Sequence, residues 1–253
     1  MNPKTLISSA KDYKHTTTPE EDGLFISEFF YDTVQGENFV GVPSAFLRLK
    51  NCHIGCTWCD SAVTWKRGVK WNHRQLFRKI EEAGLIGKFK NGQHLVITGG
   101  APLLQQEQLV KFIDAFINRY HFKPYIEMEN ECTIMPTPTL FLLVDRWNNS
   151  PKLELSGVNK TKTYHPRILE RMSQQPNSYF KFVVSSQGDW DEIQTKYIDL
   201  GLIKKEQVVL MPLGDNRKKI RQIQEKVIGL CIVNGVRYSP RLHIDIWDMS
   251  TGV

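Results

Sequence analysis

The chain has 253 residues, a formal charge of +6 and 41% hydrophobic residues, which suits one generous globular domain. No run of about 18 apolar residues is present to span a membrane, and the first 21 residues lack the apolar stretch of a signal peptide. Five cysteines, three of them crowded together, fit a reducing cytoplasm better than a secreted disulfide framework.

Taken in order, residues 1–22 read as a loose polar leader and residues 23–253 as the folded domain. Leu24–Tyr31 reads as a first strand, and Gly36, Gly41 and Pro43 break the chain after it. Ser44–Lys50 reads as a second strand that delivers Arg48 just before the cysteines. The stretch from Thr57 to Asn72 reads as a loop. A helix is expected over His73–Ala83, with Leu76, Phe77 and Ile80 on one face. Strands then read at 94–98, 124–128, 140–144, 179–184 and 208–211. Helices read at 102–120, 166–173, 190–200 and 216–227, and two closing strands at 230–233 and 242–246. Strand–helix alternation argues parallel βαβ units. About six repeats are too few for a closed eight-stranded barrel, so an open, partial (β/α)6-type barrel is expected. No internal repeat and no second domain stand out.

The stretch that organises the chain is Cys52-His-Ile-Gly-Cys56-Thr-Trp-Cys59-Asp60-Ser61. Its C-x3-C-x2-C spacing brings three thiolates to one point. A fully protein-ligated iron–sulfur cubane takes four cysteines, so three leave one iron open to a small molecule. Zinc held by the three cysteines and His53, or a disulfide, are the other uses of such a loop. Cys132 and Cys231 stand alone and read as buried, inert thiols. The basic residues are scattered, the densest runs being Arg217-Lys218-Lys219 with Arg221 and Lys66-Arg67 with Lys70. No direct nucleic-acid partner is expected from them; an anionic small substrate suits the same balance.

The cysteine loop resembles that of radical S-adenosylmethionine (SAM) enzymes. Its flanks, Gln35-Gly36-Glu37, Phe46-Leu47-Arg48-Leu49 and Cys59-Asp60-Ser61, narrow the likeness to the 7-carboxy-7-deazaguanine synthase family. Further segments agree: Thr98-Gly99-Gly100-Ala101-Pro102, Ser150-Pro151-Lys152 with Ser156-Gly157, Met211-Pro212, and Arg241-Leu242-His243 with Trp247. Together they span residues 24–247. The segment Glu129-Asn130-Glu131-Cys132-Thr133 is only loosely similar to the family's E-T-N-G-T, with Asn130, Glu131 and Cys132 departing from it.

The resemblance implies the radical SAM fold and its chemistry. A [4Fe–4S] cluster on Cys52, Cys56 and Cys59 reduces SAM, and the resulting 5′-deoxyadenosyl radical takes hydrogen from 6-carboxy-5,6,7,8-tetrahydropterin. The ring then contracts to 7-carboxy-7-deazaguanine with loss of ammonia. By the same resemblance SAM is held by Trp58, Asp60, Gly100, Ser150, Pro151, Lys152, Met211 and Pro212. The pterin is held by Val34, Gln35, Gly36, Glu37, Arg48, Thr98 and His243, with Arg48 on its carboxylate. Ser61 ligates Mg²⁺ where the family has Thr. A reducing donor such as flavodoxin or ferredoxin and a homodimer complete the expectation.

The likeness breaks at Ala101, where the family carries a Glu that accepts the ammonium of SAM. A methyl cannot accept it, so SAM is expected to bind weakly, with a water or a neighbouring carboxylate such as Glu129 standing in. This departure leaves room for a catalytically impaired SAM-binding relative. Another radical SAM enzyme of the activase kind and a zinc-binding, nucleic-acid-associated protein are the remaining alternatives.

Overall fold

A computed structural model describes residues 22–250. Nine strands form one sheet: β1 Gly23–Val34, β2 Pro43–Leu49, β3 Val69–Asn72, β4 His94–Gly99, β5 Tyr125–Asn130, β6 Arg146–Asn149, β7 Ser178–Val184, β8 Val208–Pro212 and β9 Arg237–Tyr238. Their order is β3-β1-β2-β4-β5-β6-β7-β8-β9. β1 pairs antiparallel with both β2 and β3, and every pair from β2 to β9 is parallel. The sheet does not close on itself, in keeping with the partial barrel that the strand–helix alternation predicts.

The helices are α1 Ala62–Trp65, α2 His73–Glu82, α3 Leu85–Lys90, α4 Gln106–Tyr120, α5 Pro138–Leu143, α6 Lys160–Thr163, α7 Pro166–Ser173, α8 Gln187–Ile193, α9 Arg217–Asn234 and α10 Leu242–Trp247. Local chemistry sets their ends. Asn72 and Gln75 form a reciprocal capping box that starts α2, and Ser186 with Asp189 does the same for α8. Gly235, at φ +62°, ends α9 in the left-handed conformation.

The strand expected at 140–144 is instead the helix α5. Thr137 accepts from the Leu140 amide at 3.3 Å, and Pro138 occupies the first turn, so the start signals outweigh the apolar run. The strand of that unit is the polar Arg-Trp-Asn-Asn of β6. Residues 230–233 continue α9, and 242–246 form α10; short apolar runs do not separate strand from helix by period alone. The stretch expected as a loop before α2 contains α1 and β3. Asp22, counted with the leader, is buried and accepts from Lys111 Nζ at 2.8 Å. The rest of the expected leader lies outside the described residues. No helix among them is long and apolar enough to cross a membrane.

Side chains alternate across each strand, and here the two faces differ sharply. Leu47, Ile97, Met128, Trp147, Phe182 and Leu210 point to the helix-covered face and are at most 1% exposed. Phe77, Phe112 and Phe116, from α2 and α4, pack in the same core. The other face carries Arg48, Thr98, Glu129 and Lys181, and one layer deeper His94, Glu127 and Arg146. This inner face is where the sheet curls around a cavity.

Glu127 shows how the deeper layer is satisfied. Its side chain is fully buried, yet His94 Nδ1 lies 2.6 Å from Oε1, while Gln35 Nε2 and Asn148 Nδ2 donate to Oε2 at 3.2 and 2.7 Å. A buried carboxyl is tolerated when its oxygens are met in this way. Glu127→Ala should cost about 3–5 kcal/mol, because three buried polar groups lose their partner at once. Glu127→Gln should cost markedly less. Thermal melting of the two variants checks this, and an unchanged midpoint in Glu127→Ala would count against the network as a source of stability.

Candidate active site

The inner face opens into a cavity of about 460 Å³ at the carboxyl ends of the strands. Cys52, Cys56 and Cys59 stand in its wall, in the loop that follows β2. None of the five cysteines is bonded to another in this structure. His53, needed for a Cys3His zinc site, instead has its Nε2 2.8 Å from Thr133 Oγ1. Among the described residues no three His, Cys, Asp or Glu side chains converge as ligands of a single ion do. Trp65 Nε1 donates to Cys59 Sγ at 3.4 Å, a contact that suits a thiolate. Burial raises the Cys56 thiol, with Lys152 opposing it. Burial likewise raises Cys132 and Cys231, the latter to about 11, which keeps both as inert thiols.

Close backbone approach holds the loop. A Cβ on Gly100 would come within 2.5 Å of Asn51 O and of Cys52 Cβ, so only glycine lets the end of β4 lie against the first cysteine. The Ala101 amide then donates to Asn51 O at 2.9 Å. Gly157, at φ +69°, lets the Ser156 carbonyl accept from both the amide and the hydroxyl of Thr57, at 3.0 and 3.1 Å. The loop is therefore clamped from β4 on one side and from the segment after β6 on the other.

Around the cysteines the cavity collects most of the residues singled out from the sequence. Trp58, Asp60, Ser61, Gly100, Ser150 and Lys152 line it. Lys152 donates to Ser150 Oγ at 2.8 Å and lies 5.7 Å from the Trp58 ring centroid. Burial lowers its ammonium pKa, and the neighbouring Cys56 pulls it back. Ser61 sits at the start of α1 but makes no side-chain capping bond; its hydroxyl lies 3.7 Å from Cys59 Sγ. Pro151, Met211 and Pro212 are buried outside the cavity wall.

Deeper in the same cavity lie Val34, Gln35, Gly36, Glu37, Arg48, Thr98 and His243. Gln35 is spent internally: besides donating to Glu127, its Oε1 accepts from the amides of Gly36 and Glu37 at 2.8 and 3.3 Å. It shapes the turn whose edge faces the cavity. Arg48 Nε donates to Glu28 at 2.8 Å, and its guanidinium lies 5.9 Å from the Phe30 ring centroid. Glu37 is ion-paired with Lys181, and Thr98 donates to Glu129 Oε2 at 2.6 Å. Burial, then the charge of Glu37, pushes the Glu129 carboxyl up to about 7 against the pull of Lys181. Burial also lowers His243, so its ring is neutral near pH 7.

The carboxyl-terminal segment seals one wall. The Arg217 side chain donates to the carbonyls of Ile244, Asp245 and Ile246 in α10, and its amide donates to Asp248 Oδ1 at 2.9 Å. Arg241 reaches Asp60 in an ion pair. Partial burial opposes the charge on Asp60, but Arg241, His243 and Arg48 override it and hold the carboxyl at about 2.

Several cavity residues were not singled out as ligand-binding: Trp65, Glu131, Lys181 and Arg241. A lysine within the otherwise apolar strand Tyr179–Val184 is a readable signal, because an inward charge needs a partner. Trp65 and Arg241 carry no such signal; tertiary contacts alone bring them in.

Glu129 yields a test with a definite sign. Its ordinary value is 4.5 and its folded value about 7. Between these the native state keeps a proton that the unfolded chain releases, so this group's contribution to stability falls as pH rises through that window. Gln cannot titrate. Glu129→Gln should therefore gain stability over the unmodified protein as pH rises from about 5 to about 8, by on the order of 3 kcal/mol. Paired melting curves of cluster-free protein measure the difference, and a gap that ignores pH would refute the buried, raised carboxyl.

Residues 34–129, which include the cysteine loop, match the family described as "4Fe-4S single cluster domain". A 7-carboxy-7-deazaguanine synthase of Pyrobaculum aerophilum is 29% identical over 225 residues, covering 88% of this chain and 94% of the relative. The Escherichia coli synthase is 27% identical over 236 residues, covering 86% and 96%. The crystal structure of QueE from Escherichia coli superposes with a TM-score of 0.64 at 23% identity, across 89% of this chain and 99% of that one. The open barrel thus shares the fold of that QueE structure, and over most of its length the chain is similar to 7-carboxy-7-deazaguanine synthases.

Proposed function

We propose that this protein converts 6-carboxy-5,6,7,8-tetrahydropterin to 7-carboxy-7-deazaguanine with release of ammonia, in 7-deazaguanine biosynthesis. The observation that carries the reading is the sharing of one cavity by the three thiols of one loop and an inward row of hydrogen-bonding and charged side chains. The conversion balances on loss of one ammonia alone, so no net oxidant or reductant is consumed.

The residues present fit a cluster held by Cys52, Cys56 and Cys59, with the Trp65 N–H already donating to one sulfur. Bound there, a reduced cluster with SAM would supply radical chemistry able to remove a substrate hydrogen. The chain's own work is to bind, orient and exclude water. Glu28 fixes Arg48 through Nε, which leaves its terminal N–H groups for the substrate carboxylate in forked geometry. Lys181 lies on the same inner face as a second cation near that carboxylate. Neutral His243, Thr98 and the carboxyls of Glu37 and Glu129 read the pterin edge; Glu129, poised near 7, both donates and accepts there. Lys152, Ser150 and Trp58 face the SAM side.

We assign a Mg²⁺ ligand to Ser61, whose hydroxyl the helix start does not use. A low-potential donor of the flavodoxin or ferredoxin kind, a homodimer and a cytoplasmic setting belong to the same proposal.

Anaerobic reconstitution followed by assay with the carboxylated pterin tests the function. The unmodified protein should form 7-carboxy-7-deazaguanine, whereas Cys52→Ala should lose both iron and turnover, and Cys231→Ala neither. A reconstituted protein that cleaves SAM but leaves the pterin untouched would overturn the substrate. Ser61→Ala should keep its cluster and SAM cleavage but lose stimulation by magnesium; full stimulation in that variant would remove Ser61 as a ligand.

A further inference from the structure

A buried carboxyl in the cavity has no role so far. Glu131 follows β5 directly, is 4% exposed and stands in the same wall as the three cysteines. Its Oε1 accepts from Thr133 Oγ1 at 2.9 Å, while Oε2 has no hydrogen-bond partner among the described residues. A buried carboxyl oxygen left in this state is costly unless a cation meets it. Lys152 acts on Glu131 through its charge but gives its hydrogen bond to Ser150.

The loop holds Glu131 firmly toward the cysteines. Asn130 Oδ1 accepts from the Cys132 amide at 3.1 Å, and Cys132 takes the left-handed φ of +62° that the turn requires. Thr133, the partner of Oε1, also bonds His53 of the cysteine loop at 2.8 Å. The carboxyl is thus tied through one hydroxyl to the cysteine loop, whose three thiols would hold the cluster.

Ala101 presents no acceptor: it is 1% exposed and lies outside the cavity wall. Glu129 does not serve either, since Thr98 already donates to its Oε2 and Glu37 and Lys181 surround it. We infer that Glu131, through Oε2, accepts the ammonium of SAM. The acceptor has moved from the end of β4 to the end of β5. This rests on the reading given under Proposed function.

Calorimetry on the anaerobically reconstituted protein tests it with two ligands. SAM carries the ammonium; methylthioadenosine keeps the adenosine and sulfur but lacks the amino acid portion. Glu131→Gln, nearly isosteric, should weaken SAM roughly ten- to a hundredfold while iron content and methylthioadenosine affinity stay unchanged. Equal SAM affinity in Glu131→Gln, or equal weakening of both ligands, would overturn the assignment and leave the function standing. Absence of SAM binding in the unmodified, cluster-loaded protein would overturn the function itself and this inference with it.

Discussion

The site depends on one constraint: a strand has two faces, and here one of them must hold charge away from bulk water. Period-two alternation sends Leu47, Ile97, Met128 and Phe182 under the helices, and sends Arg48, Thr98, Glu129 and Lys181 inward. A one-residue slip in any of these strands would exchange the two sets. The parallel registers Arg48–Thr98 and Lys181–Val209 fix the inward row, so the chemistry of the cavity and the packing of the core are one property of the sheet.

Charge on the inner face is balanced locally. Glu37 meets Lys181, Asp60 meets Arg241, Arg48 meets Glu28, and Glu127 is met by three neutral or titratable donors. Two carboxyls stand apart: one oxygen of Glu131 has no partner among the described residues, and burial and the Glu37 charge leave Glu129 half-protonated near neutral pH. Such a group is poised to exchange a proton with whatever occupies the cavity. The deeper layer around Glu127 is closed to this, because each of its oxygens already has a partner.

Much of this was legible in the residues. The C-x3-C-x2-C loop, the paired glycines after β4 and the Gln35-Gly36-Glu37 turn all fall in one cavity. Local signals also located β4, β7, β8 and α2 to within a residue or two. What failed were short apolar stretches without a decisive period. Residues 140–144 and 242–246 look like strands until the start of α5 and the anchoring of α10 by Arg217 are taken into account. β6 failed in the opposite sense: Arg146 and Asn148 look into the barrel, and Asn149, beside Trp147, is buried by bonding Asn130 and Ser178. The Arg217 run read as a diffuse surface charge, yet Arg217 spends its donors on carbonyls of the last helix. Ala101 drew attention as a loss; the unpartnered oxygen of Glu131 appears only once β4 and β5 lie side by side.

The ion pair between Asp60 and Arg241 joins positions 181 residues apart. It binds the cysteine loop, made early, to a segment made almost last. A chain ending before Arg241 would still carry every cysteine and every strand, but Asp60 would face the cavity without its counter-charge, and His243 would be gone. In genetic terms, a stop codon late in the reading frame would remove part of this site's wall although it spares every cysteine and every strand. Completion of synthesis, rather than formation of the barrel alone, is what closes the wall of the cavity.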